Sequence, residues 1–273
     1  MIAANRNLRL GVALLAAMVG LAVAGLVALP DPDAQDLAAT YLAPGEAGHL
    51  LGTDGLGRDV LAWVSAGVWI SLFIALAVVA LSAAVGVTVG LAAGYAGGFA
   101  DAVLMRIVDL QLAVPPLLLF IAASAALTPS MGTLIVLLSA AGWLPYARLI
   151  RNVVLVERER GYVAAARLAG ATRRRVLLVH LLPAASTTAL VLSSLEMGLV
   201  LLWEAGLSFL GLGINPPHNS LGFLINEGRS TLATAWWVVV FPGAAVALLV
   251  LAFNLIGDGL RDAVHRDVDV IDR

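Results

Sequence analysis

Tyr162-Val163-Ala164-Ala165-Ala166-Arg167-Leu168-Ala169-Gly170, followed by Ala171-Thr172-Arg173-Arg174-Arg175 and then by His180-Leu181-Leu182-Pro183, is the stretch that decides the fold. It is polar and Arg-rich, and it lies between two long apolar runs, so lipid cannot hold it. Its pattern is ordered all the same: a small-residue helix, a Gly break, a second helix and a Pro stop. Glu157 to Leu168 reads as the first helix. Arg173 to Leu182 reads as the second, polar then apolar, lying back toward a membrane. Ala164, Ala165, Ala166 and Ala169 give the first helix a low profile, which lets another protein approach its backbone. Gly170 supplies the turn, because glycine reaches positive φ without strain. The bland alternative is a basic loop that merely obeys charge rules. The Gly spacing and the His-x-x-Pro ending favour a docking element offered to a soluble partner.

Composition agrees. The chain is 61% hydrophobic and 12% charged, with a mean hydropathy of +0.97. Soluble domains average about 45–50% apolar and about 25% charged. The excess places the chain in a membrane. Cysteine is absent, which excludes disulfides, Cys-ligated zinc and thiol catalysis. All 16 basic residues are Arg, a compositional bias alongside the abundant Ala, Val and Leu.

A bilayer crossing takes roughly 20 apolar residues. Stretches 8–29, 68–92, 106–127, 132–152, 184–203 and 236–257 qualify, so the expected fold is all-α and polytopic with six transmembrane helices. Pro115-Pro116 and Pro145 predict kinks in the third and fourth. Arg6 and Arg9 precede the first run as in a signal peptide, but the run is too long for a cleaved segment. Six crossings put both termini on one side. With that side inside, 14 of the 16 Arg are cytoplasmic and only Arg58 and Arg229 are external. The expected organisation is an N-terminal helix and external loop (1–67), a core with coupling loop 153–183 and external loop 204–235 (68–260), and a cytoplasmic tail (261–273).

Further segments carry a pattern. Leu51-Gly52-Thr53-Asp54-Gly55-Leu56-Gly57-Arg58-Asp59 reads as a tight turn ending in a helix start that Asp54 caps. Met105-Arg106-Ile107-Val108-Asp109 precedes the third apolar run's centre. Glu204-Ala205-Gly206-Leu207-Ser208-Phe209-Leu210-Gly211-Leu212-Gly213 leads to Pro216-Pro217. Glu227-Gly228-Arg229 and Ala252-Phe253-Asn254-Leu255-Ile256-Gly257-Asp258-Gly259-Leu260-Arg261-Asp262 follow. Taken with the loop at Ala165, Ala166, Gly170, His180, Leu182 and Pro183, these five segments resemble binding-protein-dependent ABC importer permeases. They are most similar to the C-type permease subunit of dipeptide, oligopeptide and nickel importers. The chain departs from that pattern at Ala164, where the family usually has Glu. The resemblance implies a type I permease fold whose loop couples to an ATPase through Tyr162, Ala164, Ala165, Ala166, Gly170, Ala171, His180 and Pro183.

Other residues stand out on their own. Gly86, Gly90, Gly94 and Gly98 recur every fourth position and form a smooth ridge for close helix approach, either inside this subunit or against a partner permease. Glu196 falls mid-span, beside Ser193 and Ser194. An ionisable group there marks a hydrated path or a cargo amine contact, the alternative being a protonated or paired Glu that staples helices. Asp109, Asn254 and Asp258 lie near inner helix ends and suit interface hydrogen bonding. His49, His180, His218 and His265 are scattered and show no His-Glu-x-x-His spacing. There is no Gly-x-Ser-x-Gly and no Walker-type phosphate loop, so ATP binding by this chain is not expected.

An intramembrane enzyme would need paired catalytic groups at membrane depth, and only Glu196 qualifies. An ion-coupled carrier would show inverted repeats and leave the docking loop unexplained. The expectation is a non-catalytic permease subunit importing di- or oligopeptides, with nickel, haem or another small solute as the alternative cargo. The partners implied are a homologous second permease, one or two ATP-binding subunits that hold ATP and Mg, an external solute-binding protein and lipid. No nucleic acid is implied, and no cofactor or metal in this chain.

Overall fold

Inside a bilayer the backbone finds no water, so each apolar run closes its own hydrogen bonds as a helix. The computed structural model describes residues 6–29, 31–128, 130–214 and 219–271, without the side chains of 125 and 264–271. Pro216-Pro217, His218, the side chains of His265 and Arg266, and Arg273 lie outside the described residues. The helices are α1 (Arg6–Ala28), α2 (Val60–Ala96), α3 (Gly98–Leu112), α4 (Pro116–Ala126), α5 (Met131–Glu157), α6 (Gly161–Leu168), α7 (Arg173–Phe209), α8 (Leu221–Gly228) and α9 (Trp237–Ile271). Among the described residues no strand forms beyond one isolated bridge, Thr53–Asp59. The protein is an all-α polytopic membrane protein.

Five of these helices are long and apolar enough to cross a membrane alone: α1, α2, α5, α7 and α9. The third expected crossing is not one kinked helix. It is two helices, α3 and α4, set at 77° to one another. Pro115 and Pro116 remove two successive N–H donors, and Pro115 sits at ψ 125, outside the helical region. Pro145, by contrast, stays inside an unbroken α5.

Small residues hold the bundle together, as expected where lipid offers no hydrophobic drive between helices. A Cβ on Gly86 would strike Trp143 and Tyr146; on Gly90, Ala147 and Ile150; on Gly94, Arg151 and Val154. The glycine ridge therefore packs against α5 within this subunit, and α2 and α5 run parallel. Gly98 does not belong to that face. Helix α2 stops at Ala96, and Gly98 opens α3 at φ +53 with open space around it. Leu8 of α1 meets Gly259 of α9 and Gly11 meets Ala252 and Ile256, so the first and last helices are antiparallel, the start of α1 beside the later part of α9. Helix α9 continues through Ile271, across the stretch expected as a tail. Outward-facing Val27, Leu76 and Leu190 are exposed, a surface suited to acyl chains.

At the opposite end, the loop before α2 is cross-tied. The α2 cap is Asp59, whose Oδ1 accepts from the Ala62 N–H at 2.9 Å. Asp54 does not cap it. The turn at Gly57 (φ +71) reverses the chain first, and Asp54 accepts instead from the Leu56 and Arg58 amides and the Arg58 guanidinium. Trp237 Nε1 donates to the Thr53 carbonyl at 3.0 Å, anchoring this loop to α9. Helix α8 is fixed by a buried carboxyl. Glu204 accepts from Ser208 Oγ at 2.8 Å and from Ser71 Oγ of α2 at 3.0 Å. Ser71 Oγ in turn accepts from the Leu221 N–H at 3.1 Å. One side chain thus joins α2, α7 and α8.

Two outcomes follow for stability. Gly90→Val forces a clash with α5 backbone and lowers stability by about 1–3 kcal/mol, whereas Gly243→Ala, with open space around it, is neutral or stabilising. Thermal inactivation of the purified protein in detergent reads both. Glu204→Ala strands the buried Ser71 and Ser208 hydroxyls and costs about 1–3 kcal/mol; limited proteolysis should then cut the 210–236 segment sooner than in the wild type.

Candidate functional site: the α6 platform

Helix α5 does not stop where the membrane-spanning run does. It carries through Glu157, and the chain then turns at 158–160 with Arg160 extended at ψ 146. The first loop helix therefore begins at Gly161 rather than Glu157. Glu157 holds the turn: it pairs with Arg160 at 3.0 Å and accepts from Tyr162 Oη at 2.6 Å. Partial burial pushes the Tyr162 hydroxyl above its ordinary pKa, and the hydrogen bond to Glu157 adds to the rise. Arg158 Nη1 donates to the Gly94 carbonyl at 2.6 Å, so the turn is also fastened to the end of α2.

One apolar peg seats α6. Val163 is fully buried with Tyr146, Ile150 and Val154 of α5 and with Val176, Leu181 and Ala185 of α7. The rest of the helix faces outward. Ala164, Ala165, Ala169 and Gly170 are exposed, Ala166 is half-buried, and Leu168 is 91% exposed. Arg167 lies with its guanidinium carbon 5.5 Å from the centre of the Tyr95 ring. Leu168 went unnoticed in the sequence as a contact residue. The helical period shows it, since 164, 165 and 168 share one face.

The helix ends in a Schellman motif. Gly170 takes φ +85; its N–H bonds to the Arg167 carbonyl at 3.0 Å and the Ala171 N–H bonds to the Ala166 carbonyl at 3.0 Å. Thr172 then caps the next helix by accepting from the Arg175 N–H. A groove of about 380 Å³ opens between the two helices, bordered by Ala166, Ala169, Gly170, Ala171, Arg175 and His180. The His180 and Tyr162 rings stand 6.1 Å apart across its edge.

Pro183 does not stop a helix. The segment from Arg173 runs straight on into the membrane-crossing part of α7. Residues Val176–Leu181 widen into a π-turn, and the Leu182 N–H reaches the Leu177 carbonyl, five residues back. The wider turn absorbs a proline that has no N–H to give. The expected second loop helix, Arg173 to Leu182, is thus the first turns of α7 and leads back into the membrane as part of that helix.

The mid-span polar residues do not converge. Tyr146 Oη donates to Ser193 Oγ at 3.0 Å, which turns Ser193 toward α5. Ser194 Oγ donates to the Val191 carbonyl and lies against Gly257 of α9. Only Glu196 borders a cavity, of about 200 Å³, with Gln111, Pro116, Phe120, Pro145 and Trp203. At the inner end, Asp109 pairs with Arg148, and Arg151 clasps Asp101, so α3 is tied to α5. Among the described residues no group of three His, Asp or Glu is placed to hold a metal ion.

A family profile described as "Binding-protein-dependent transport system inner membrane component" matches residues 86–270, which includes the whole platform. A putative peptide transport system permease protein of Brucella abortus biovar 1 is 42% identical over 261 residues, covering 95% of this chain and 88% of its own. The dipeptide transport system permease protein DppC of Escherichia coli K12 is 47% identical over 220 residues, covering 81% and 73%. The di/tripeptide transport system permease protein DppC of Pseudomonas aeruginosa UCBPP-PA14 is 39% identical over 225 residues, covering 82% and 74%. A glycine-packed bundle of membrane helices carrying an exposed, Schellman-capped platform is the architecture such similarity calls for, and this chain belongs to the family of binding-protein-dependent transport system inner membrane components.

Proposed function

We propose that this chain forms half of the path by which an ATP-driven importer carries di- or oligopeptides across the plasma membrane. The cargo reading rests on the names of its relatives, several of which are peptide or dipeptide permeases. The coupling reading rests on one observation: α6 is pegged by Val163 yet turns Ala164, Ala165 and Leu168 outward. A small-faced, apolar-tipped helix fixed to two crossing helices is built to be pushed.

The remaining assignments follow from that use. The platform end is cytoplasmic, as are both termini, in keeping with the 14 Arg that fall on that side. Segments 1–67, 68–260 and 261–273 act as anchor with external loop, transport core and cytoplasmic end. A homologous permease supplies the other half of the path, and one or two ATP-binding subunits seat the platforms and hold the nucleotide and Mg. An external solute-binding protein delivers peptide to the side of loop 204–235. Closure of the ATPases on ATP moves the helices as rigid bodies and alternates access. Tyr162, Ala164, Ala165, Ala166, Gly170, Ala171, His180 and Pro183 shape or support the docking surface, and this chain does no chemistry itself.

The test is reconstitution. Purified alone, the chain should hydrolyse no ATP; with its ATPases and binding protein in liposomes, peptide uptake should require ATP. Uptake without a motor overturns the proposal. Gly170→Val puts a β-branched residue where φ is +85, which costs about 1–2 kcal/mol in local backbone strain while meeting no neighbour. Such a variant should insert normally yet lose at least about tenfold in uptake per ATP hydrolysed; undiminished uptake removes α6 from the coupling.

A further inference from the structure

The break between α3 and α4 opens a cavity that the packing of the bundle does not require. Its wall is apolar: Leu112, Pro116 and Phe120 on one side, Pro145 of α5 behind, Val200 and Trp203 of α7 opposite. Phe120 and Trp203 meet edge to face, their centroids 5.7 Å apart, and form its aromatic corner. Two polar side chains reach it. Gln111 is already engaged, its amide donating to the Ala140 carbonyl in the turn before Pro145. Glu196 is not engaged. Among the described residues it makes no hydrogen bond and no ion pair, whereas Glu204 is tied to two serines and Asp101 to Arg151. The hydroxyls of Tyr146 and Ser194 are engaged elsewhere: Tyr146 donates to Ser193, and Ser194 donates to the Val191 carbonyl.

A carboxylate half-buried among apolar side chains carries a large desolvation cost unless a cation joins it. Among the described residues no Arg borders the cavity. A cation that pairs with Glu196 there comes from outside the described residues, and it fits beside an aromatic corner. We propose that Glu196 binds the α-ammonium group of the peptide cargo as it passes, with the first side chain of the peptide against Phe120 and Trp203. The ammonium brings three donors to an acceptor that has none, and the aromatic faces add cation–π attraction. An unbound metal dication is a poorer match, since Glu196 is the one carboxylate among the cavity residues and dications take several oxygen ligands.

This inference rests on the peptide-import reading, and the experiment separates the two. The full importer is reconstituted in liposomes with binding protein, and alanyl-alanine is the probe. Uptake and ATP hydrolysis are measured against concentration for the wild type, Glu196→Gln and Glu196→Asp. Losing the charge-assisted contact should lower uptake per ATP by about tenfold or more in Glu196→Gln, with binding-protein-stimulated ATP hydrolysis retained. Glu196→Asp, which keeps the charge, should recover most of it. Equal uptake by Glu196→Gln and wild type overturns this inference alone. So does loss of stimulated hydrolysis together with uptake, which marks Glu196 as a structural residue. A wild-type complex that carries neither alanyl-alanine nor a longer alanine oligopeptide overturns the cargo reading, and this inference with it.

Discussion

The close approach of α2 and α5 is the constraint on which the rest of the structure depends. Hydrophobic burial cannot hold two helices together in lipid, because the tails are as apolar as leucine. Gly86, Gly90 and Gly94 solve this by removing side chains at the seam, so that α5 backbone and Tyr146, Ile150 and Val154 come within van der Waals contact. Parallel packing of α2 and α5 obliges the chain between them to return across the membrane. It does so through the broken pair α3 and α4, the least buried part of the bundle. The same seam fixes the height at which α5 leaves the bundle, and with it the position of α6.

Much of this was legible in the sequence, for identifiable reasons. Apolar runs near the thickness of a bilayer reveal crossings whatever their neighbours, so six stretches were readable and α1, α2, α5, α7 and α9 answer to five of them. The Gly170 turn was readable because only glycine suits the position. Helix boundaries were less accessible. Pro183 reads as a stop, since a proline usually is one; the π-turn that lets α7 pass through it depends on where Val176 and Leu181 are buried. Asp54 and Asp59 are equally good caps by residue type, and only the reversal at Gly57 decides for Asp59. The fourfold glycine spacing ran one residue too far, because periodicity cannot see that α2 ends at Ala96.

The site was legible in outline and not in detail. Small residues and glycine announce a docking surface, yet the sequence does not tell Val163, the buried peg, from Leu168, the exposed tip; both are apolar residues in an alanine-rich helix. Their difference comes from the other helices, since Val163 alone points at the ends of α5 and α7. Ser193, Ser194 and Glu196 look like one polar cluster in the sequence. At about 100° per residue they are spread around α7, and the bundle sends them to three neighbours: α5, α9 and the cavity.

That spread gives the platform and the cavity a common frame. Helix α6 hangs from the end of α5 by the Glu157 turn and leads into the start of α7 by the Schellman turn, and Val163 is wedged against both. Helix α5 carries Pro145, and α7 carries Glu196, Val200 and Trp203, all of them walls of the cavity. A rigid displacement of α6 is therefore shared by two of the cavity's walls, and α3 is tied to α5 by the Asp101–Arg151 and Asp109–Arg148 pairs, by the Gln111 amide on the Ala140 carbonyl and by Val108 packed with Leu144 and Ala147. Helix α4, beyond the proline break, lacks such ion pairs among the described residues and meets the α5–α7 unit through apolar contacts such as Phe120 on Trp203. Under the proposed mechanism, motion at the platform changes the spacing between α4 and the α5–α7 unit, which is where the unpaired carboxylate sits. The proline break does more than reverse the chain: among the described residues it leaves α4 joined to the α5–α7 unit by apolar packing, Phe120 on Trp203 foremost, without the ion pairs that fasten α3.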